Sequence, residues 1–169
     1  VCAVSYKTVL KAAKMYVADA QVVSLEPNTI ADIFDNIKLI GELCGVSERA
    51  EKVVNDLQNR LENIRQQLKK PQSQIPNPKS VFMLEWLEPP FSPGHWVPEQ
   101  VEIAGGNALL GKSGAKSVTT TYEEIYESKP DVMVMIPCGY YTEDILRQLE
   151  NTTFPANWRE IPAIKNGEV

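Results

Sequence analysis

The sequence predicts an α/β fold in two parts, built on a mostly parallel sheet and joined by one long helix. Three observations predict it. Short apolar segments alternate with segments of helical periodicity, the order of parallel strands and their crossover helices. After its first residue, the run Asp131 to Ile136 is unbrokenly apolar, as a strand buried on both faces would be. Upstream, Ala50, Val54, Leu57, Leu61, Ile64 and Leu68 recur at alternating steps of four and three residues, a single apolar stripe on a helix.

Taken in order, Ser5 to Val17 is helical in pattern, with Val9, Leu10, Ala13 and Val17 on one face. Gln21 to Leu25 reads as a short strand. Glu26-Pro27-Asn28 then turns the chain, with Asn28 as the expected N-cap of a helix carrying Ile30, Ile33, Phe34, Ile37, Ile40 and Leu43. Gly45 is placed to end that helix. Ser47 is the expected cap of the striped helix, which runs to about Lys70 and spans roughly 35 Å at 1.5 Å per residue. A surface helix of that length fits a strut between two lobes better than a short coiled-coil seam. Pro71 to Pro78 lacks periodicity and is rich in Pro, Gln and Asn, so it marks a loop and a lobe boundary. Beyond it, Ser80 to Leu87 reads as a strand, Val97 to Ala104 and Thr121 to Ser128 as helices, Asp131 to Ile136 as a strand and Tyr141 to Glu150 as a helix.

Composition narrows the function. A net charge of -5 offers phosphate no attracting field, which argues against a nucleic-acid partner. The 17 Lys and Arg residues are scattered, so no basic patch for a membrane surface forms. Cys2, Cys44 and Cys138 lie far apart without a C-x-x-C pair, and read as small buried thiols. No apolar run approaches the ~18 residues of a membrane span. The chain opens on Val-Cys-Ala-Val without Met and closes on Asn166-Gly-Glu-Val169, a turn with a strand beginning. It therefore reads as a piece of a longer protein, which leaves export open.

In open α/β sheets, ligands bind beyond the carboxyl ends of the strands. The segments there are Leu25 to Asn28, Glu85 to Trp96 and Pro137 to Tyr141. They hold Trp86, Trp96, Phe91, Tyr140, Tyr141 and the sole histidine, His95, and contain no Lys or Arg. Such a mouth suits a large, flat, weakly charged ligand that stacks on rings, not an anion needing guanidinium partners. The plainer alternative is aromatic packing over a core. His95, without a second histidine, reads as a turn residue bonded to backbone rather than a metal ligand, and no metal site is expected. Glu26 is expected among the ligand-binding residues with these rings and His95; the plainer alternative for it, as for Glu85 and Glu88, is a solvated rim charge. The string Gly106 to Ser113 matches G-x-x-x-x-G-K-[ST]. However, a helix precedes it and none follows, so a phosphate-binding loop is the remote reading. A helix end at Gly105-Gly106 followed by a loop is the nearer one. No nucleophile elbow or Cys beside a base is present, so no catalytic residue and no enzyme is expected.

Several segments, in this order, resemble the periplasmic cobalamin-binding proteins. They are Val22-Val-Ser-Leu-Glu-Pro27, the long helix, Pro89-Pro-Phe-x-x-Gly94, Val101-Glu-Ile-Ala-Gly-Gly-Asn107, Thr121-Tyr-Glu-Glu-Ile125 and Lys129-Pro-Asp-Val132. Pro93-Gly-His-Trp96 is similar to bacterial proteins of the same label. The resemblance implies a helical-backbone periplasmic binding protein: two α/β lobes joined by a long rigid helix, with the first lobe truncated. Residues 1–46 would be the remnant of the N-terminal lobe, 47–71 the inter-lobe helix, 72–79 a loop and 80–169 the C-terminal lobe. It implies no cofactor but a cobalamin-like cobalt corrinoid as ligand, with haem or an iron chelate (siderophore) as the alternative. It also implies delivery to an ABC transporter membrane permease outside the cytoplasm. Lobes of this family dock through a surface glutamate each, which here would be Glu123, with Glu124 beside it. Val1 to Val17 contains no glutamate for the other lobe's dock; Tyr6 or Lys7 stands there.

Overall fold

The computed structural model describes residues 4–17, 19–69 and 77–169. Cys2 and most of the predicted loop Pro71 to Pro78 lie outside them. Helix α1 (Tyr6–Tyr16) starts where predicted: the Ser5 hydroxyl accepts from the Thr8 N–H at 3.3 Å. None of its residues is fully buried.

Gln21 to Leu25 forms no strand, contrary to its pattern. No described strand lies alongside, and a lone strand leaves its N–H and C=O groups without partners. The cap of α2 (Ile30–Leu43) is Thr29, not Asn28. Thr29 Oγ1 accepts from the Asp32 N–H at 3.1 Å, and Asp32 Oδ2 accepts from the N–H groups of Asn28 at 2.9 Å and Thr29 at 2.8 Å. A three-residue reach back from Asp32 closes a capping box. Those donors, the Asn28 N–H foremost and then the Thr29 hydroxyl, hold the Asp32 carboxyl below the usual carboxylate range.

Helix α3 (Ser47–Leu68) has 22 residues. Ser47 is its first residue and not its cap; Val46 caps it without a side-chain bond. Its start is set by packing instead. The Val46 N–H donates to the Gly41 carbonyl at 2.7 Å, and a Cβ at Gly41 would collide with the Ala50 Cβ. Only Ala50 and Val54 of the stripe are buried; Ile64 is exposed. The far end of α3 reaches the end of helix α4 (Val97–Ile103), where Leu68 packs against Gly105.

Three parallel strands form the main sheet in the order β4 (Asn107–Ala108), β1 (Ser80–Leu84), β6 (Val132–Met135). Parallel neighbours require crossovers, supplied by α4 (Val97–Ile103) and α5 (Tyr122–Ser128). The predicted strand Ser80 to Leu87 divides at Glu85. Its N–H donates to the Phe91 carbonyl at 3.1 Å, so the chain leaves the parallel sheet. The next residues, β2 (Trp86–Leu87), pair antiparallel with β3 (Pro90–Ser92), which pairs in turn with β5 (Val118–Thr119).

One face of the main sheet makes the core. Phe82, Leu84 and Met133 pack with Leu87, Ile125, Trp158, Ile161 and Ala163. Trp158 comes from a 3-10 turn (Ala156–Glu160), Ala163 from α7 (Pro162–Lys165) and Ile161 from the junction between them, neither element being predicted. Tyr122 and Phe154 surround Trp158, Phe154 stacking on it at 4.4 Å. The other face is only partly covered. Val81, Met83, Val132 and Val134 meet α4 across an open apolar groove of about 380 Å³. β6 is therefore not buried on both faces: Val134 is 39% exposed, because no described element covers its outer side. Nor are the two described cysteines buried. Cys44 and Cys138 are free and exposed, each in a turn at the end of an element. Helix α6 (Thr142–Asn151) begins at a capping box between Tyr141 and Asp144.

Candidate ligand-binding site

Because β4, β1 and β6 run parallel, their carboxyl ends share one edge of the sheet, and the segments that follow them meet there. After β1 the chain enters the β2–β3 hairpin, which sets Trp86 opposite Phe91. The Trp86 indole N–H donates to the Glu88 carbonyl at 3.1 Å, which orients the ring. After β6 the turn Pro137 to Tyr140 brings Tyr140 edge-on to Trp86, centroids 5.2 Å apart. Two strands adjacent in the sheet thus contribute one aromatic pair, though 54 positions separate the residues in sequence.

The Pro93 to Trp96 turn follows β3. His95 has φ 52°, a left-handed conformation that a bulky residue adopts only when its surroundings hold it. Those surroundings belong to the loop after β4. The His95 N–H donates to the Ala115 carbonyl, the Gly114 N–H to the His95 carbonyl at 3.0 Å, and the Gly94 N–H to Ser117 Oγ at 3.1 Å. A Cβ at Gly94 would strike the Ala115 carbonyl, and one at Gly111 the Pro93 carbonyl. The glycines permit this close backbone approach. His95 and Trp96 rings lie 5.8 Å apart. Trp86, Phe91, His95 and Trp96 are all half-buried.

The phosphate-loop string accordingly does something else. Gly106 to Ser113 contains strand β4 and leads into a turn, with no helix after Lys112. It buttresses the His95 turn and carries exposed Lys112, with Lys116 just beyond, to the same edge. These lysines escape a reading confined to the three segments noted from sequence. Their signal was present in the glycines of the string, whose spacing reflects close packing.

Other predicted residues stand apart. Tyr141 is 78% exposed. Glu26 takes its hydrogen bonds within its own turn: Ser24 Oγ donates to its carboxylate at 2.9 Å and Asn28 Nδ2 to its carbonyl at 3.1 Å. Of the two acidic residues at the start of α5, Glu124 closes a capping box. Its Oε2 accepts from the Thr120 hydroxyl at 2.8 Å and from the Thr121 N–H at 2.9 Å and hydroxyl at 3.2 Å. These donors, Thr120 first, hold its carboxyl below the usual range. Glu123 instead points away from the cap and accepts from Asn157 Nδ2 at 3.0 Å.

Behind the mouth, the Tyr122 O–H donates to the Leu87 carbonyl at 2.7 Å and anchors the hairpin to the core. Burial, and then the nearby Glu88 carboxylate, push its phenol up, which keeps the proton on the donor. Among the described residues, no group of three or more His, Cys, Asp and Glu is placed to hold a metal ion. No described helix is long and apolar enough to cross a membrane. The open groove against α4 lies along the strands and not at their carboxyl ends, and its lining is almost wholly aliphatic. It lacks the few convergent polar groups that orient a ligand.

The family model described as periplasmic binding protein matches residues 4–169. No curated protein matches the chain. Several solved structures do. An ABC transporter substrate-binding protein from Listeria monocytogenes EGD-e superposes with TM-score 0.75 at 20% identity, over 96% of this chain and 62% of its own. A periplasmic haem binding protein from Pseudomonas aeruginosa gives TM-score 0.75 at 18% identity, over 98% and 58%. The periplasmic vitamin B12 binding protein BtuF of Vibrio cholerae gives 0.65 at 20%, over 95% and 59%. The chain thus spans about three fifths of the length of these proteins, and the likeness is one of fold.

Proposed function

The chain belongs to the periplasmic binding protein family, and from that premise we propose that it is a ligand-capturing part of an ABC importer's extracytoplasmic binding protein, with a corrinoid as its ligand. It binds and hands over; it does not catalyse. One observation carries the reading: Trp86 and Tyr140, from the ends of adjacent parallel strands, form a half-open aromatic pair beside Phe91, with His95 and Trp96 on the neighbouring turn. Flat macrocycles stack on such rings. Glu123, free of the helix cap that occupies Glu124, is the docking carboxylate for the membrane permease.

Titration with cyanocobalamin should quench the tryptophan fluorescence, and Trp96→Ala should weaken binding at least tenfold, about 1.4 kcal/mol. Unchanged affinity would remove this turn from the site. A second reading has its own support. Lys112 and Lys116 stand at the same edge, and two cations suit the propionates of haem or an anionic iron chelate. If haem is the ligand, haemin binds more tightly than cyanocobalamin, and Lys112→Ala with Lys116→Ala weakens haemin alone.

A further inference from the structure

Among the described residues, a single hydrogen bond and no ion pair links residues 4–69 to residues 77–169. The Ile30 N–H donates to Glu99 Oε2 at 2.9 Å, across 69 positions of sequence. Ile30 opens α2 and is 8% exposed; Glu99 is half-buried in the first turn of α4. The first N–H groups of a helix have no partner within it. In α2, Thr29 Oγ1 takes that of Asp32, and the Ile30 N–H is satisfied only from the far part of the chain. A carboxylate in that place also faces the positive end of the helix dipole.

The bond adds a second point of attachment. Helix α2 packs along α3, and α3 touches the end of α4 through Leu68 on Gly105. Bodies that meet at one point can pivot about it. Glu99 supplies another point, at the opposite end of α4. Apolar packing contributes little there, because a pocket of about 440 Å³ opens between α2, α3 and Glu99, lined by Ile30, Phe34, Leu61 and Arg65. Glu26 lies four positions before Ile30, and Trp96 three before Glu99. We infer that Glu99 is a positioning residue: by holding the start of α2, it fixes the Glu26 turn at a set spacing from the His95–Trp96 turn. That spacing belongs to the unliganded chain, so it goes beyond the reading of the site and does not depend on which ligand is bound.

The native thiols supply the test. Cys44 ends α2 and Cys138 stands in the turn after β6, both free and exposed. With Cys2→Ser as the common background, spin labels on Cys44 and Cys138 report the distance between the two parts by double electron–electron resonance. The parent chain and Glu99→Gln, which keeps an acceptor oxygen, should give the same single narrow distance. Glu99→Ala, and Glu99→Asp with its shorter reach, should broaden or shift it. Thr29→Ala is the control for mere weakening of α2. It removes a cap hydroxyl at the same helix end, should lower the melting temperature, and should leave the distance narrow. Should Glu99→Ala not fold, Glu99→Asp decides the matter. A parent distance that is already broad, or Glu99→Ala and Glu99→Asp distances identical to the parent's, would overturn the role of Glu99. So would a Thr29→Ala or Glu99→Gln chain that moves as far as Glu99→Ala, since the acceptor at Ile30 would then not be what holds the two parts.

Discussion

The molecule contains two aromatic clusters built from similar residues and put to different uses. Tyr122, Phe154 and Trp158 sit beneath the sheet, with Trp158 only 6% exposed and Phe154 stacked flat on it. Trp86 and Tyr140 stand at the sheet's carboxyl edge, half-open, and meet edge to face. The first cluster comes from α5 and from the chain leading into and through the 3-10 turn, and its rings are held by packing. The second comes from a hairpin and a turn, where the Trp86 ring is held by its indole bond to the Glu88 carbonyl and by its edge contact with Tyr140. An aromatic residue therefore says little by its type. What precedes it decides: a ring that follows a parallel strand is delivered to the edge where ligands bind.

The largest effect should come from breaking the buried cluster. Trp158→Ala removes a ring enclosed by Tyr122, Phe154 and the core, and should cost about 3–5 kcal/mol, read as a lowered urea midpoint. Trp86→Ala loses one edge contact and one indole hydrogen bond at a half-open position. It should cost about 1–2 kcal/mol while abolishing most ligand-induced quenching. If both variants lose the same stability, or if Trp158→Ala weakens binding more than Trp86→Ala in folded protein, the distinction between the clusters fails.

The sequence disclosed helices α1 to α6 well, because each shows helical patterning along its length, and the two caps named, Asn28 and Ser47, each lie one position from the true one; α7, only four residues long, carries no such pattern. It disclosed the strands less well. Gln21 to Leu25 has the pattern of a strand but no described neighbour, and β2 has the pattern of a continued β1 but pairs elsewhere. Strand identity depends on partners distant in sequence, which local pattern does not report. The candidate site was legible in part for the same reason. Trp86, Phe91, His95 and Trp96 share one segment and were found together. Tyr140 was found from the rule about strand ends. Lys112 and Lys116 were missed because β4, two residues long, is too short to announce itself, so the loop after it was not recognised as a strand-end loop.

A smaller effect separates the two glutamates of α5. Glu124 belongs to the capping box with Thr121, and Thr121→Ala should cost about 1 kcal/mol by removing the hydroxyl that accepts from the Glu124 N–H. Glu123→Ala takes away only a bond to Asn157 and should leave stability nearly unchanged. A helix-destabilising Glu123→Ala, seen as a lowered melting temperature equal to that of Thr121→Ala, would mean that both carboxylates serve the fold and neither is free to dock.

The gentlest perturbation is acid, and it acts on the scaffold rather than on either ring cluster. Asp131 stands at the foot of β6, where its Oδ2 accepts from the Ser80 N–H and hydroxyl, each at 2.8 Å, and so ties β6 to β1. These donors, the backbone N–H first, hold its carboxyl below the usual range, as the capping donors do for Asp32 and Glu124. A carboxyl depressed in the folded state binds its proton more readily when unfolded. Its stabilisation is therefore complete above the ordinary carboxylate range and is lost as pH falls through that range into the lower folded values. The melting temperature should be flat near neutrality and decline below about pH 5. Asp131→Asn, which keeps an acceptor oxygen but cannot titrate, should start slightly lower and decline less steeply. The Trp158 signal in near-UV circular dichroism should vanish in the same step as the Trp86 signal, since β1 and β6 share a core with Trp158 and lead into the turns that bear Trp86 and Tyr140. An acid transition that released the Trp86 edge first, with the buried stack intact, would show that the mouth is tethered more weakly than the shared strands imply.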